Sequence, residues 1–274
     1  MTLQPIVPTQ FSPALLLEAV QAAAQAAAEV IRDGERRRGA LVWREKSATD
    51  FVSEVDTTAE ARIIAVLAER IPGAAFLAEE SASTLAPEQR VAGVTFVIDP
   101  LDGTTNFLHG VPEYAVSIAA LVDNTLAAGV VLHVPRNEWF TATAGGGAWC
   151  DGRRIGVSDI DVPDRALIAT GFPLKGGHDV DLYLGQMGRL MMQTAGLRRP
   201  GSASLDLAGV ACGRFDGFWE NLLAPWDIAA GILIAREAGA IVTDVSGAPC
   251  PVAHTSVLAA NPAMHGWLLE RLQG

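Results

Sequence analysis

Three observations predict a mixed α+β / α/β fold. Short apolar, β-branched segments separated by tight turns run from Val94 to Ala144 and read as consecutive antiparallel strands. From Ala166 to Asp244 strands and helices alternate, which favours an α/β layer. An alanine-rich helical segment precedes both.

In order, Ser12 to Arg32 reads as a helix, with Ser12 as N-cap and Pro13 in its first turn. Asp56 to Arg70 is a second helix, stopping before Pro72-Gly73, and Ala74 to Ala78 a short strand. Val94 to Ile98 is a buried strand bounded by Gly93 and Asp99-Pro100. Tyr114 to Val122 and Thr125 to His133 are strands joined by an Asp123-Asn124 turn, and Glu138 to Ala144 is another that ends in three glycines. Further on, Ala166 to Thr170 is a strand and Asp179 to Ala195 a helix. Ser204 to Cys212 is a helix stopped by Gly213, and Phe215 to Glu220 a strand. Asp227 to Ala238 is a helix stopped by Gly239, and Ala240 to Asp244 a strand. The change of character near Gly152 to Asp164 suggests two lobes, 1–155 and 156–274, joined softly as one compact unit.

The 274 residues suffice for a sizeable core, and half of them are apolar. No stretch of about 18 uncharged apolar residues suggests a membrane span, and the N-terminus lacks the basic and apolar regions of a secretory signal. Cys150, Cys212 and Cys250 are far apart and read as reduced thiols of a cytoplasmic protein. The net charge of −11 argues against non-specific nucleic-acid binding. An anionic substrate stays open, because bound cations reverse the local field.

The sharpest segment is Asp99-Pro100-Leu101-Asp102-Gly103-Thr104-Thr105-Asn106-Phe107. A buried strand delivers Asp99, and Pro100 keeps it extended. Two carboxylates converging on the Asp102-Gly103 turn suit magnesium, a hard cation that takes oxygen ligands. Thr104 and Thr105 could open a helix whose amides dock a phosphate; taken alone, Asp-Gly-Thr is a turn with a cap. Glu79-Glu80 follows the strand ending at Ala78, where an isolated acidic pair is more often a solvated loop. Asp227 stands where an apolar, hence buried, helix begins (IAAGILIA), although an ordinary N-cap explains an Asp there as well. The Lys46 to Asp56 segment reads on composition as a solvated loop capped by Asp56. Gly201 to Asp206 opens a helix with a Ser cap, and Glu220 ends a strand seven residues before Asp227.

Together these segments resemble the inositol monophosphatase family. Glu79-Glu80-Ser81, DPLDGTTNF from Asp99 to Phe107 and WDIAAG from Trp226 to Gly231 carry the likeness in the right order. NEWFTAT from Asn137, ATGFP from Ala169 and GSASLDLAGVACGRFDGFWE from Gly201 are most similar to its bacterial branch, named for a suppressor protein of enteric bacteria. The resemblance implies a layered α-β-α-β-α sandwich of the inositol monophosphatase / fructose bisphosphatase type, Mg²⁺ dependence, Li⁺ inhibition and frequent homodimers. Carried onto this chain, it implies that Glu79, Asp99 and the Leu101 carbonyl hold one ion, and that Asp99, Asp102 and Asp227 hold a second. Glu79 would help hold a weaker third. Asp56 and Thr104 would orient the attacking water, with Glu79 counted among the catalytic groups. Gly103 and Thr104 would offer amides to the phosphate, and Asp102, Ala203, Glu220 and Asp227 would face the alcohol. The Lys46 loop is about one residue shorter than in the animal enzymes, and His133 stands where many members have an Asp; neither joins the implied site.

The expected reaction is in-line attack of water on the phosphorus of a small phosphorylated metabolite, with two Mg²⁺ ions about 4 Å apart clamping the attacking and leaving oxygens. A haloacid-dehalogenase-type phosphatase needs D-x-D, and the residue two after Asp99 is Leu101. The five histidines form no H-x-x-H or H-x-x-x-H pair, which argues against a zinc hydrolase. Glu220 favours a polyol or an amine over a second phosphate, so myo-inositol monophosphate ranks first and histidinol phosphate second, ahead of other sugar or nucleotide phosphates. The alternative from a different class is a partner of the transcription machinery, known in the bacterial branch.

Overall fold

The computed structural model describes residues 11–47, 50–81, 93–172 and 179–274. The first described element is helix α1 (Pro13–Arg36), capped as expected by Ser12, whose hydroxyl accepts from Leu15 N at 3.2 Å. A small antiparallel hairpin follows, β1 (Arg44–Ser47) and β2 (Asp50–Val52), and then helix α2 (Glu54–Arg70).

Strands β3 (Ala75–Ala78), β4 (Val94–Asp102), β5 (Ala115–Val122), β6 (Thr125–His133), β7 (Glu138–Thr143), β8 (Gly147–Cys150) and β9 (Arg153–Arg154) form one seven-stranded sheet in sequence order. Only the β3/β4 pair is parallel. The short helix α3 (Thr104–His109) leaves this sheet at the end of β4. The turn between β5 and β6 places Asp123 and Asn124 at φ 48° and 62°, the left-handed pair that a tight hairpin demands.

The second half supplies β10 (Leu167–Thr170), α4 (Val180–Met191), β11 (Gly196–Arg198), α5 (Ala203–Ala211), β12 (Gly217–Leu223), α6 (Pro225–Glu237), β13 (Ile241–Thr243), β14 (Thr255–Ala260) and α7 (Pro262–Gln273). Its five strands pair in the order β11-β10-β12-β14-β13.

The layers are α1/α2, the seven-stranded sheet, α5/α6, the five-stranded sheet and α4/α7. Alternation along each strand assigns side chains to layers. In β4, Phe96 and Ile98 pack under α1 and α2, while Val97 faces α5 and α6. In β14, Val257 and Ala259 join that central core, while Leu258 and Ala260 meet α7. Strands buried on both faces read as continuous apolar runs. Helix α6 lies in the middle layer, and every residue from Ile228 to Ala235 is buried. By length and composition α1 could cross a membrane. Its Leu16, Val20, Ala23, Ala27 and Ile31, however, are wholly buried in the core beneath α2, β5 and β6. The alanines let the helix approach the sheet closely, and each large apolar side chain buried contributes about 1.5–3 kcal/mol.

Candidate metal and phosphate site

Two β-bulges aim the acidic residues. Along β4, Asp99 pairs with Ser117 and Asp102 with Ala115, so β4 carries one residue more than β5 over this stretch. In a regular strand, residues three apart point to opposite faces. The extra residue resets that alternation and lets Asp99 and Asp102 converge. Pro100 sits inside the bulge, where a missing N–H breaks no ladder bond. A second bulge lies between Glu220 and Leu223 of β12, with Leu222 held at φ 56°.

Each carboxylate is anchored by neighbouring donors. Asp56 is the third residue of α2; its Oδ2 accepts from Ser53 N at 2.9 Å and Ser53 Oγ at 2.7 Å, closing a capping box. Asp227 holds the same place in α6, with Oδ2 accepting from Ala224 N at 2.7 Å. Asp99 Oδ1 accepts from Leu101 N at 3.0 Å. Asp102 Oδ2 accepts three hydrogen bonds, from Ser202 Oγ at 2.6 Å, Ser204 N at 2.8 Å and Ser204 Oγ at 2.5 Å. That oxygen is saturated, which leaves Oδ1 as the Asp102 atom open to a further partner. Thr104 Oγ1 lies 2.8 Å from Asp56 Oδ1 and 3.0 Å from the Leu101 carbonyl oxygen, and its single proton serves both.

Asp56, Asp99 and Asp102 are all buried, and among the described residues none is ion-paired with Arg or Lys. Burial pushes the Asp99 carboxyl well above its usual value, and the charges of Glu79, Asp102 and Asp227 add to the shift. The Asp102 carboxyl is raised by burial against the pull of its serine donors, and Asp56 is raised by burial with a further push from Glu79. Such a convergence is unfavourable without a compensating cation. The donors are hard oxygens, several of them carboxylates gripped through one atom, and they fit magnesium.

The structure therefore brings Asp56, Glu79, Asp99, Leu101, Asp102, Gly103, Thr104 and Asp227 into one neighbourhood. Glu79 enters at the end of β3, where its N–H donates to Ile98 O at 3.1 Å. Glu80 follows, and its N–H donates to the buried Glu60 at 2.8 Å. Ala203 begins α5 beside the serines on Asp102. Glu220 packs its carboxylate against the backbone of Gly171, in the space a Cβ there would fill. His133 lies in β6, 1 % exposed, with Nδ1 accepting from Arg136 N at 3.2 Å and Nε2 3.5 Å from Glu113. The Lys46 side chain lies outside the described residues, as do Ala48 and Thr49 of its loop and Pro173 of the ATGFP motif.

The chain matches the inositol monophosphatase family model over residues 13–274. The protein belongs to the inositol monophosphatase family. It is 44% identical over 253 residues to the Nus factor SuhB of Pseudomonas aeruginosa, covering 92% of this chain and 93% of that protein. It is 41% identical over 251 residues to the Nus factor SuhB of Escherichia coli K12, with 92% and 93% covered. The extragenic suppressor protein suhB of Bartonella henselae superposes with a TM-score of 0.88 at 39% identity, covering 94% of this chain and 98% of that one. The inositol monophosphatase of Anabaena superposes at 0.81 with 33% identity, covering 95% and 96%. The layered sandwich is thus the family fold.

The sequence marks Ser53, Ser202 and Ser204 only as parts of loops or caps. The S-x-x-D spacing of Ser53 and Asp56 is a legible capping signal; the bonds from α5 to Asp102 span about a hundred residues and leave no local signal. A second group of possible ligand atoms, Glu138, Cys150 and Asp151, lies within 4.8 Å of one another. Arg214 grips both oxygens of Glu138, and burial, helped by the Glu138 charge, pushes the Cys150 thiol up to about 12. An arginine already neutralises this corner.

Asp206, in α5, is 1 % exposed, and its Oδ1 has no hydrogen-bond partner. Burial, then the charges of Glu220 and Asp102, holds its carboxyl well above the usual value. With the folded value above the unfolded 3.8, its contribution to stability is present below that pH and is lost as pH rises through the folded value. Asp206→Asn removes the ionisation. The variant's melting temperature should exceed that of the parent at pH 8 by the equivalent of about 1–3 kcal/mol, and the advantage should shrink toward pH 4. Melts showing an advantage that does not vary with pH would contradict this account.

Proposed function

We propose that the protein is a Mg²⁺-dependent phosphatase that hydrolyses a small phosphate monoester, with myo-inositol monophosphate the first candidate substrate and histidinol phosphate the alternative. The observation that carries this reading is the convergence of Asp99 and Asp102, both buried, with Glu79 and Asp227, so that burial first and then the neighbouring charges raise the Asp99 carboxyl. Family membership supports the same chemistry. Glu79, Asp99, the Leu101 carbonyl, Asp102 and Asp227 would hold two to three Mg²⁺ ions. When bound, these supply Lewis-acid activation of water and charge stabilisation at the leaving oxygen.

The chain's own groups supply the rest. Asp56 and Thr104, already hydrogen-bonded, receive and orient the water that attacks phosphorus in line. Ser53 holds Asp56 by two bonds, so the carboxylate is preorganised. The Gly103 and Thr104 amides meet the phosphate. Asp102, Ala203, Glu220 and Asp227 face the alcohol, and the Glu220 charge, felt also at the buried Asp206, disfavours a second phosphate there. The three free thiols suit a reducing, cytoplasmic setting.

Phosphate release from inositol 1-phosphate, histidinol phosphate, fructose bisphosphate and adenosine bisphosphate, with Mg²⁺, with EDTA and with Mg²⁺ plus Li⁺, tests the reading. Release that needs Mg²⁺ and falls with Li⁺ is the expected result; release indifferent to EDTA would sink it. The names of the SuhB relatives favour a second reading, a partner of the transcription machinery. Capture of RNA polymerase by both the parent and Asp99→Asn would support a role apart from catalysis, and no capture by either would remove it. Homodimers are expected on family grounds, and sedimentation measures them directly.

A further inference from the structure

Asn106 holds no ligand, water or phosphate role in the site, yet its side chain joins three segments of it. Its Nδ2 donates to Glu113 O at 2.7 Å and Pro200 O at 2.9 Å, with Gly201 O at 3.4 Å. An amide has two N–H donors, and two backbone carbonyls from distant parts of the chain take them. Asn106 itself lies in α3, four residues beyond Asp102. Pro200 and Gly201 lead into Ser202 and Ser204, the residues that saturate Asp102 Oδ2. Glu113 leads into β5, the strand paired across the bulge from Asp102.

The approach is close. A Cβ on Gly201 would stand 3.0 Å from Asn106 Nδ2, and one on Gly103 would stand 2.9 Å from Glu113 O and 3.3 Å from Gly201 O. The two carbonyl-bearing segments, Glu113 and Pro200-Gly201, therefore meet around one amide, with the phosphate-side turn on one flank and the alcohol-side helix on the other.

We propose that Asn106 is a positioning residue: it ties α3 to the start of α5, sets the spacing between the phosphate and alcohol sides of the site, and fixes which oxygen Asp102 presents to the metal. The proposal rests on the metal reading given above. Without the amide, the carbonyls of Glu113 and Pro200 lose their shared donor, α5 is released from α3, and the serine clamp on Asp102 loosens. Aspartate at 106 keeps the shape but sets an oxygen against two carbonyl oxygens, which repels rather than joins.

Mn²⁺ binding measured calorimetrically, without substrate, tests this on the parent, Asn106→Ala, Asn106→Asp, Ser204→Ala and the Asn106→Ala/Ser204→Ala pair. Each Asn106 variant should weaken Mn²⁺ binding by about 10–100-fold, the range for residues that orient metal ligands. The double variant should lose far less than the product of the two single losses, because both act on one clamp. Mn²⁺ affinity within twofold of the parent in a folded Asn106 variant, or losses that multiply, would overturn the proposal. Should Asn106→Ala fail to fold, the isosteric Asn106→Asp carries the test. A parent that binds no Mn²⁺ overturns both readings; one that binds Mn²⁺ but releases no phosphate sinks the phosphatase and still decides Asn106.

Discussion

Asp99→Asn should lower Mg²⁺-dependent phosphate release by about 10³-fold or more and, in the metal-free protein, raise the melting temperature. Both effects have one cause. Asp99 is buried in β4 among Glu79, Asp102 and Asp227, and its desolvation, joined by those charges, lifts its carboxyl well above 3.8. The protonated carboxyl therefore stabilises the fold below pH 3.8, and that stability is lost as pH rises through the folded value. At neutral pH an ionised Asp99 is a liability that only a cation offsets. Asparagine removes the liability and, with it, the charge that the proposed Mg²⁺ site draws on. Lewis-acid stabilisation is worth several kcal/mol, and each 1.36 kcal/mol is tenfold in rate, which gives the expected loss.

Melts in EDTA from pH 4 to pH 8 should show the variant gaining on the parent as pH rises. Mg²⁺ should then raise the parent's melting temperature, most strongly at pH 8 where no proton must be displaced, and barely move the variant's. Equal melting temperatures in EDTA across that range would show that the four carboxylates do not burden one another. An active Asp99→Asn protein would remove the metal site from these residues altogether.

What the sequence disclosed of this arrangement follows from what is local. Val94 to Ile98 and the apolar run of α6 declared themselves because burial on every side leaves no polar alternation. The end of β4 did not: the strand continues through Pro100 to Asp102, which only a bulge permits, and a bulge is decided by the register of β5. The helix expected to reach Ala195 stops at Met191, because the chain must turn there into β11, an edge strand paired with β10. Strands β8, β9 and β14 and helix α7 left no clear signal; β14, with only six residues, is defined by pairing with β12 and β13 on either side. Within the site, the motif residues were legible as types, but the bonds that aim them were not. Ser204 reaches Asp102 across 102 residues, and Asn106 reaches Pro200 across 94.

Gly103→Ala isolates how tightly those long-range segments close on the site. Gly103 stands at φ 93°, ψ 35° between Asp102 and α3. An alanine there would adopt the left-handed conformation at a cost of about 1–3 kcal/mol. Its Cβ would also stand 2.9 Å from Glu113 O, 3.3 Å from Gly201 O and 3.3 Å from Tyr114 Cα. All three are backbone atoms of segments pinned by Asn106, so none can swing away as a side chain would. Gly73 supplies the control, with φ 83° and nothing within 4 Å of where a Cβ would stand. Gly73→Ala should therefore lose stability through strain alone and keep its phosphate release. Gly103→Ala should lose more stability and should lower phosphate release by about 10²-fold, the effect of displacing reacting groups by about 1 Å. Thermal melts and initial rates on both variants separate the two terms. If Gly103→Ala behaves as Gly73→Ala does, the turn after Asp102 has room to move, and the preorganisation argued for Asp102, Thr104 and the phosphate amides is wrong.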